Sequence, residues 1–130
     1  MTSIRVPFTI TARPGDAADG DVPVVGLTVF DKQFVSPTLI GTSVVQMVSA
    51  LGAEGPLAYV ALERVEGSIE GSAGAFVLRH TGAIVDGAPT LQIEVVAGSG
   101  TGGLAGITGH GTIEHHDGGA DLVLDYELPA

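Results

Sequence analysis

Glycine and proline limit what this chain can become. The 130 residues include 20 glycines and 7 prolines, which punctuate short runs rich in Val, Ile and Thr. Gly and Pro are the poorest helix formers, and β-branched side chains lose rotamer freedom on a helix. No helical period stands out. Short runs at even spacing, bounded by turn residues, predict strands near 4–12, 22–34, 38–49, 57–70, 73–85, 90–97, 107–116 and 121–128. Residues 43–51 are the one place where a short helix could intrude. Eight antiparallel strands can close on themselves, which removes exposed edges and leaves a lumen sized for about one small ligand. The expected fold is all-β, an eight-stranded antiparallel barrel in a single domain spanning residues 1–130.

The densest glycine segment, Gly98-Ser-Gly-Thr-Gly-Gly-Leu-Ala-Gly-Ile-Thr-Gly-His-Gly111, contains a literal G-x-G-x-x-G at Gly98, Gly100 and Gly103. A dinucleotide fingerprint needs a helix directly after it, so that the pyrophosphate meets free N–H groups and the helix dipole. Here glycine and β-branched residues continue, and no lysine follows to make a P-loop. The segment therefore reads as a barrel corner, where bare backbone lets strands bend and approach closely. No cofactor is expected.

Composition narrows the function classes. Cysteine is absent, which excludes disulfides, thiolate metal sites and a cysteine nucleophile. Five basic against fifteen acidic residues give a net charge of −10, which repels phosphate backbones and anionic lipid, so neither nucleic acid nor membrane is an expected partner. Mean hydropathy is +0.42, but no apolar run approaches the roughly 18 residues a spanning helix needs. No signal-peptide pattern opens the chain, and the cytoplasm is the expected compartment. The loop Arg13-Pro-Gly-Asp-Ala-Ala-Asp-Gly-Asp21 is expected at the surface and mobile.

Two hairpins can be registered from their turns. A type II′ loop at Gly71-Ser72 sets Glu63 opposite His80, Val65 opposite Leu78 and Gly67 opposite Phe76, with Tyr59 continuing that face. Arg64 then faces Arg79, with Glu66 diagonal to offset the repulsion. A loop at Gly118-Gly119 places Gly111, Ile113, His115, Leu122, Leu124 and Tyr126 on one face, with Tyr126 covering Gly111.

Glu63 and His80 are the sharpest chemical pair, a carboxylate facing an imidazole on an otherwise apolar surface. Burial should raise the glutamate pKa while the pairing opposes that shift. Such a pair can move a proton or polarise a carbonyl or epoxide oxygen. The bland alternative is a satisfied buried pair that only fixes strand register. His110, His115, His116 and Asp117 do not make a metal site: His110 and His116 stand about 20 Å apart along a strand, and His115 points to the other face. The serines at 43, 49, 68, 72 and 99 lack a nucleophile-elbow context, and Ser99 reads as a turn former.

The segments Tyr59-Val-Ala-Leu-Glu-Arg-Val-Glu-Gly67, Gly74-Ala-Phe-Val-Leu-Arg-His80, Ser99-Gly-Thr-Gly-Gly-Leu-Ala-Gly106 and Leu124-Asp-Tyr-Glu-Leu128 resemble, in order, a bacterial family known as domain of unknown function 3224. The resemblance covers residues 57–128, with a looser fit over 22–50. It implies the allene-oxide-cyclase-type superfamily of eight-stranded antiparallel barrels, often dimeric or trimeric. Relatives there include plant cyclases of oxylipin biosynthesis and bacterial spirotetronate cyclases, which hold an apolar substrate in the lumen and steer its folding. Glu63 and His80 are the positions that match the family pattern. The start of the chain, Pro7-Phe-Thr-Ile-Thr and the Asp-rich loop, departs from it.

The expected function is isomerase or cyclase chemistry on an apolar small molecule held in the lumen. Glu63 and His80 would transfer or polarise, and the Tyr126 hydroxyl would donate a hydrogen bond. Tyr59, Val65, Phe76, Leu78 and Leu124 would line the substrate. The alternatives are a carrier or sensor that binds without turnover, and a structural barrel filled by its own side chains. Apolar residues on both faces of 57–66 hint at a homodimer.

Overall fold

The structure, a computed structural model, describes residues 1–14 and 21–129. Most of the Asp-rich loop expected over 13–21 lies outside the described residues. Eight strands run in chain order around a closed antiparallel barrel: β1 (Thr2–Pro14), β2 (Val24–Val35), β3 (Leu39–Gly52), β4 (Gly55–Ile69), β5 (Ser72–Val85), β6 (Ala88–Val95), β7 (Thr108–His116) and β8 (Gly119–Glu127). β8 pairs with β1, so every strand has two neighbours. No helix intrudes over 43–51, and the strand expected there forms. Ser43 and Val45 point inward and Thr42, Val44 and Gln46 outward, and that two-residue period keeps the segment inside β3.

Both hairpin registers differ from expectation by two residues. The β4–β5 turn is Glu70-Gly71, not Gly71-Ser72, with φ of 48° and 89°. Two consecutive left-handed residues match a type I′ turn, whose twist suits a two-residue hairpin. Ile69 therefore pairs with Ser72, Gly67 with Gly74, Val65 with Phe76 and Glu63 with Leu78. Arg79 faces Leu62 instead of Arg64 and is paired with Glu94 on β6, while Arg64 is bonded to Glu66. In the β7–β8 hairpin the loop is Asp117-Gly118, with Gly118 at φ 91°, so Tyr126 pairs with Gly109 and Gly111 with Leu124. A slip of two leaves every side chain on its predicted face, because strand side chains alternate with a period of two.

The barrel has a filled end and an open end. At the lower end Ile4, Val6, Phe34, Leu39, Val65, Ile69, Phe76, Leu78, Ile93, Leu122, Leu124 and Tyr126 pack into one buried core. Each such side chain contributes on the order of 1.5–3 kcal/mol when fully buried. The glycine-rich segment closes this end, as a seal more than a corner. A 3₁₀ turn at Gly102–Leu104 drives Leu104 and Ile107 into the core, each 1% exposed. The same segment satisfies the part of β5 that β6 leaves unpaired. Val96 and Thr101 donate backbone bonds to Val77 and Ala75, and the Ser99 and Thr101 hydroxyls accept from Val77 and Ala75. At the upper end the inward residues, Ile10, Ile84 and Leu91 among them, stay substantially exposed. The outer face of β4 is also apolar, with Val60 and Leu62 more than half exposed.

A row of bare backbone makes the curvature possible. Gly41, Gly67 and Gly74 are paired across β3, β4 and β5, and a Cβ on Gly67 would strike the Ile40 carbonyl and lie 2.8 Å from the Gly41 Cα. The obstacle is backbone, which has little room to yield. Gly67→Ala is therefore expected to cost about 2–3 kcal/mol in a urea melt. Gly87→Ala, where φ is +78° and nothing lies within 4 Å, should cost only about 1 kcal/mol of left-handed strain.

Candidate active site

Glu63 sits at the centre of the one charged cluster inside the described barrel. Alternation along β4 turns Ala61, Glu63 and Val65 inward, and the same alternation turns Lys32 on β2, Ser43 on β3 and His80 on β5 toward it. All four are buried, with Glu63 at 1% exposure and Lys32 at 6%. The two-residue shift makes Glu63 and His80 diagonal neighbours, and diagonal positions are still bridged by long side chains. The His80 Nε2–Glu63 Oε1 distance is 2.7 Å. Lys32 Nζ donates to the same oxygen at 3.3 Å, and Ser43 Oγ donates to Oε2 at 2.6 Å. The Lys32 ammonium also lies 4.4 Å from the centre of the Phe8 ring, a cation–π contact that helps hold it in place.

These contacts decide the charge state of Glu63. Burial alone pushes its pKa up, but the His80 hydrogen bond, the Lys32 charge and the Ser43 hydrogen bond outweigh it. The net direction is down, so the carboxylate is ionised at neutral pH. An ionised Glu63 accepts from every partner, so His80 donates to it through Nε2. A carboxylate that fixes an imidazole tautomer and faces a fixed ammonium is an arrangement able to take up a proton and steady a nearby oxyanion.

The other expected site residues separate into two groups. Tyr59 stands at the upper end with its ring over Gly82, and with Met47, Ser49, Ile84 and Leu91 it lines a cavity of about 370 Å³. Burial raises its hydroxyl pKa. Val65, Phe76, Leu78 and Leu124 are at most 1% exposed and pack into the filled core below the cluster. Tyr126 belongs to the lower end. It pairs with Gly109 and Thr2, and burial, followed by the neighbouring Glu70 carboxylate, raises its pKa. The structure thus brings Glu63 and His80 together and leaves Tyr126 outside their cluster.

Two members of the cluster escape the sequence reading. Lys32 is the only lysine in the chain, and its place between Asp31 and Gln33 gives no sign that it points inward until the β2 register is known. Ser43, which has no nucleophile-elbow context in the sequence, is a hydrogen-bond donor to Glu63. Of the remaining histidines, His110 and His116 stand on the outer face beside Asp125 and Asp121, and His115 is exposed at the upper rim. Ser99 ties the glycine-rich segment to β5.

A closed antiparallel barrel with an ionised Glu–His–Lys cluster between a packed base and an open mouth is the class that fold and site define. The family model "Protein of unknown function (DUF3224)" matches residues 4–127, and the chain belongs to that family. A solved structure of a protein of unknown function from the same family, from Shewanella oneidensis MR-1, is 33% identical. Their alignment covers 100% of this chain and 99% of that one, with a TM-score of 0.88. None of the curated proteins matches the chain.

Because pairing lowers the folded pKa of Glu63, its stabilisation is present above the ordinary value of 4.5 and is lost as pH falls through the folded value. Glu63→Gln, which leaves the Lys32 charge uncompensated, should cost about 3–5 kcal/mol at pH 7. That gap should narrow in urea melts at pH 3. An unchanged gap would mean the carboxylate is not held ionised by these partners.

Proposed function

We propose that the protein isomerises or cyclises a small apolar molecule bound at the upper mouth of the barrel, with the Glu63–His80 pair moving the proton. The observation that carries this reading is the placement of an ionised carboxylate, an imidazole and an ammonium within one buried cluster, directly below the only end of the described barrel where inward apolar residues stay exposed. His80 Nδ1 takes a proton from carbon beside a carbonyl, Glu63 steadies the imidazolium that forms, and the Lys32 ammonium faces the enolate oxygen. The same proton returns to a different carbon, so the product is an isomer and no co-reactant is consumed. Restricting the bound conformer in the cup would favour ring closure where the substrate carries an internal electrophile. The allene-oxide-cyclase-type superfamily that the sequence resemblance implies supports this reading by analogy alone.

A carrier that binds without turnover is the second reading. It is favoured by the state of the Glu63 carboxylate, both of whose oxygens are already held by His80, Lys32 and Ser43. A panel of small β,γ-unsaturated ketones, beginning with 3-cyclohexen-1-one, separates the two. The enzyme reading expects conjugation visible as a rise in ultraviolet absorbance and a drop of at least about 100-fold in rate for His80→Ala. Binding with no conversion of any ketone in the panel would favour the carrier.

A further inference from the structure

Lys32 has binding capacity that the cluster does not use. An ammonium offers three donors. Among the described residues its only hydrogen bond goes to Glu63 Oε1, at 3.3 Å, an oxygen that His80 already holds at 2.7 Å. Lys32 is thus the loosest of the Glu63 partners, although it is 94% buried by its 6% exposure. Its side chain also forms part of the wall of a cavity of about 510 Å³ at the upper mouth. The inward residues Phe8, Ile10, Ile113, His115 and Ala120 line the rest, with the β7–β8 turn at the rim. That volume lies within the usual range for small-molecule sites.

The charge pattern of this wall is opposite to that of the chain. Fifteen acidic residues give the protein its net charge of −10, yet none of the described ones lines this cavity. Among the described residues the ionisable side chains on its wall are Lys32 and His115. A purely apolar ligand would leave the spare ammonium donors unsatisfied, at the expense that attends any buried unpaired polar group. A carboxylate would receive a charge-assisted hydrogen bond from Lys32 while its body packed on Phe8, Ile10 and Ile113.

We infer that the mouth takes an apolar monocarboxylate, with Lys32 Nζ bound to the ligand's carboxylate and the hydrocarbon body along the β1 and β7 wall. This rests on the reading of the mouth as a small-molecule site and names the ligand class for it.

The test uses the neutral fluorescent probe N-phenyl-1-naphthylamine and two competitors of equal chain length, decanoate and 1-decanol. Decanoate is expected to displace the probe at least about tenfold better than decanol from the wild-type protein, a difference of about 1.4 kcal/mol. Lys32→Met should bring the two competitors within about twofold of each other, and Lys32→Arg should keep decanoate ahead. Because Lys32→Met leaves Glu63 without its cation, thermal melts accompany the series, and the wild-type and Lys32→Arg comparisons stand on their own if that variant does not fold. Equal displacement by decanoate and decanol from the wild type, or a preference that survives Lys32→Met, would overturn the carboxylate assignment while leaving the mouth as a ligand site. Failure of the probe to bind the folded wild type at all would instead overturn the reading of the mouth itself.

Discussion

The Glu63 carboxylate is the constraint on which the upper half of this barrel depends. Its two oxygens receive bonds from side chains on β2, β3 and β5, while β4 carries it, so four consecutive strands converge on one anion. A buried carboxylate is costly to desolvate, and only a complete set of donors offsets that cost. The set is complete here, and its consequence is a polar layer across a barrel that is otherwise closed by hydrocarbon. Below it the lumen is filled. Above it the walls remain apolar but exposed.

The two ends have different physical origins. At the base, curvature comes from the Gly41–Gly67–Gly74 row, and closure comes from Leu104 and Ile107 on the glycine-rich segment. That segment also takes over pairing with β5 where β6 diverges, and β6 and β7 share only a short ladder. The mouth has no comparable plug among the described residues. Among the described residues its inward side chains stay uncovered, the reverse of the sealed base.

Much of the fold was legible in the chain. Eight strands, their order and the inward faces of β4, β5, β7 and β8 follow from glycine punctuation and two-residue alternation, with boundaries close to those observed. The registers were less legible. Several Gly-containing dipeptides could close each hairpin, and local sequence does not say which residue takes the positive φ, as Glu70 does at 48°. The Glu63–His80 contact survived this slip only because a shift of two keeps the face. Lys32 was not legible, since its partner lies 31 positions away and no local pattern marks it as inward. Tyr126 looked like a partner of the pair because it shares their inward orientation, yet it stands at the opposite end of the barrel.

By itself the sequence determined the all-β class and the two-residue alternation that puts Glu63 and His80 on one face of the β4–β5 hairpin. These are local properties, set by backbone propensity and a period of two. Tertiary structure alone decided that Lys32 and Ser43 complete the cluster, that Val65, Phe76, Leu78 and Leu124 fill space instead of lining it, and that the glycine-rich segment seals the base. Each of these depends on the distance between residues remote in the chain. Barrel closure fixes that distance, and no single strand encodes it.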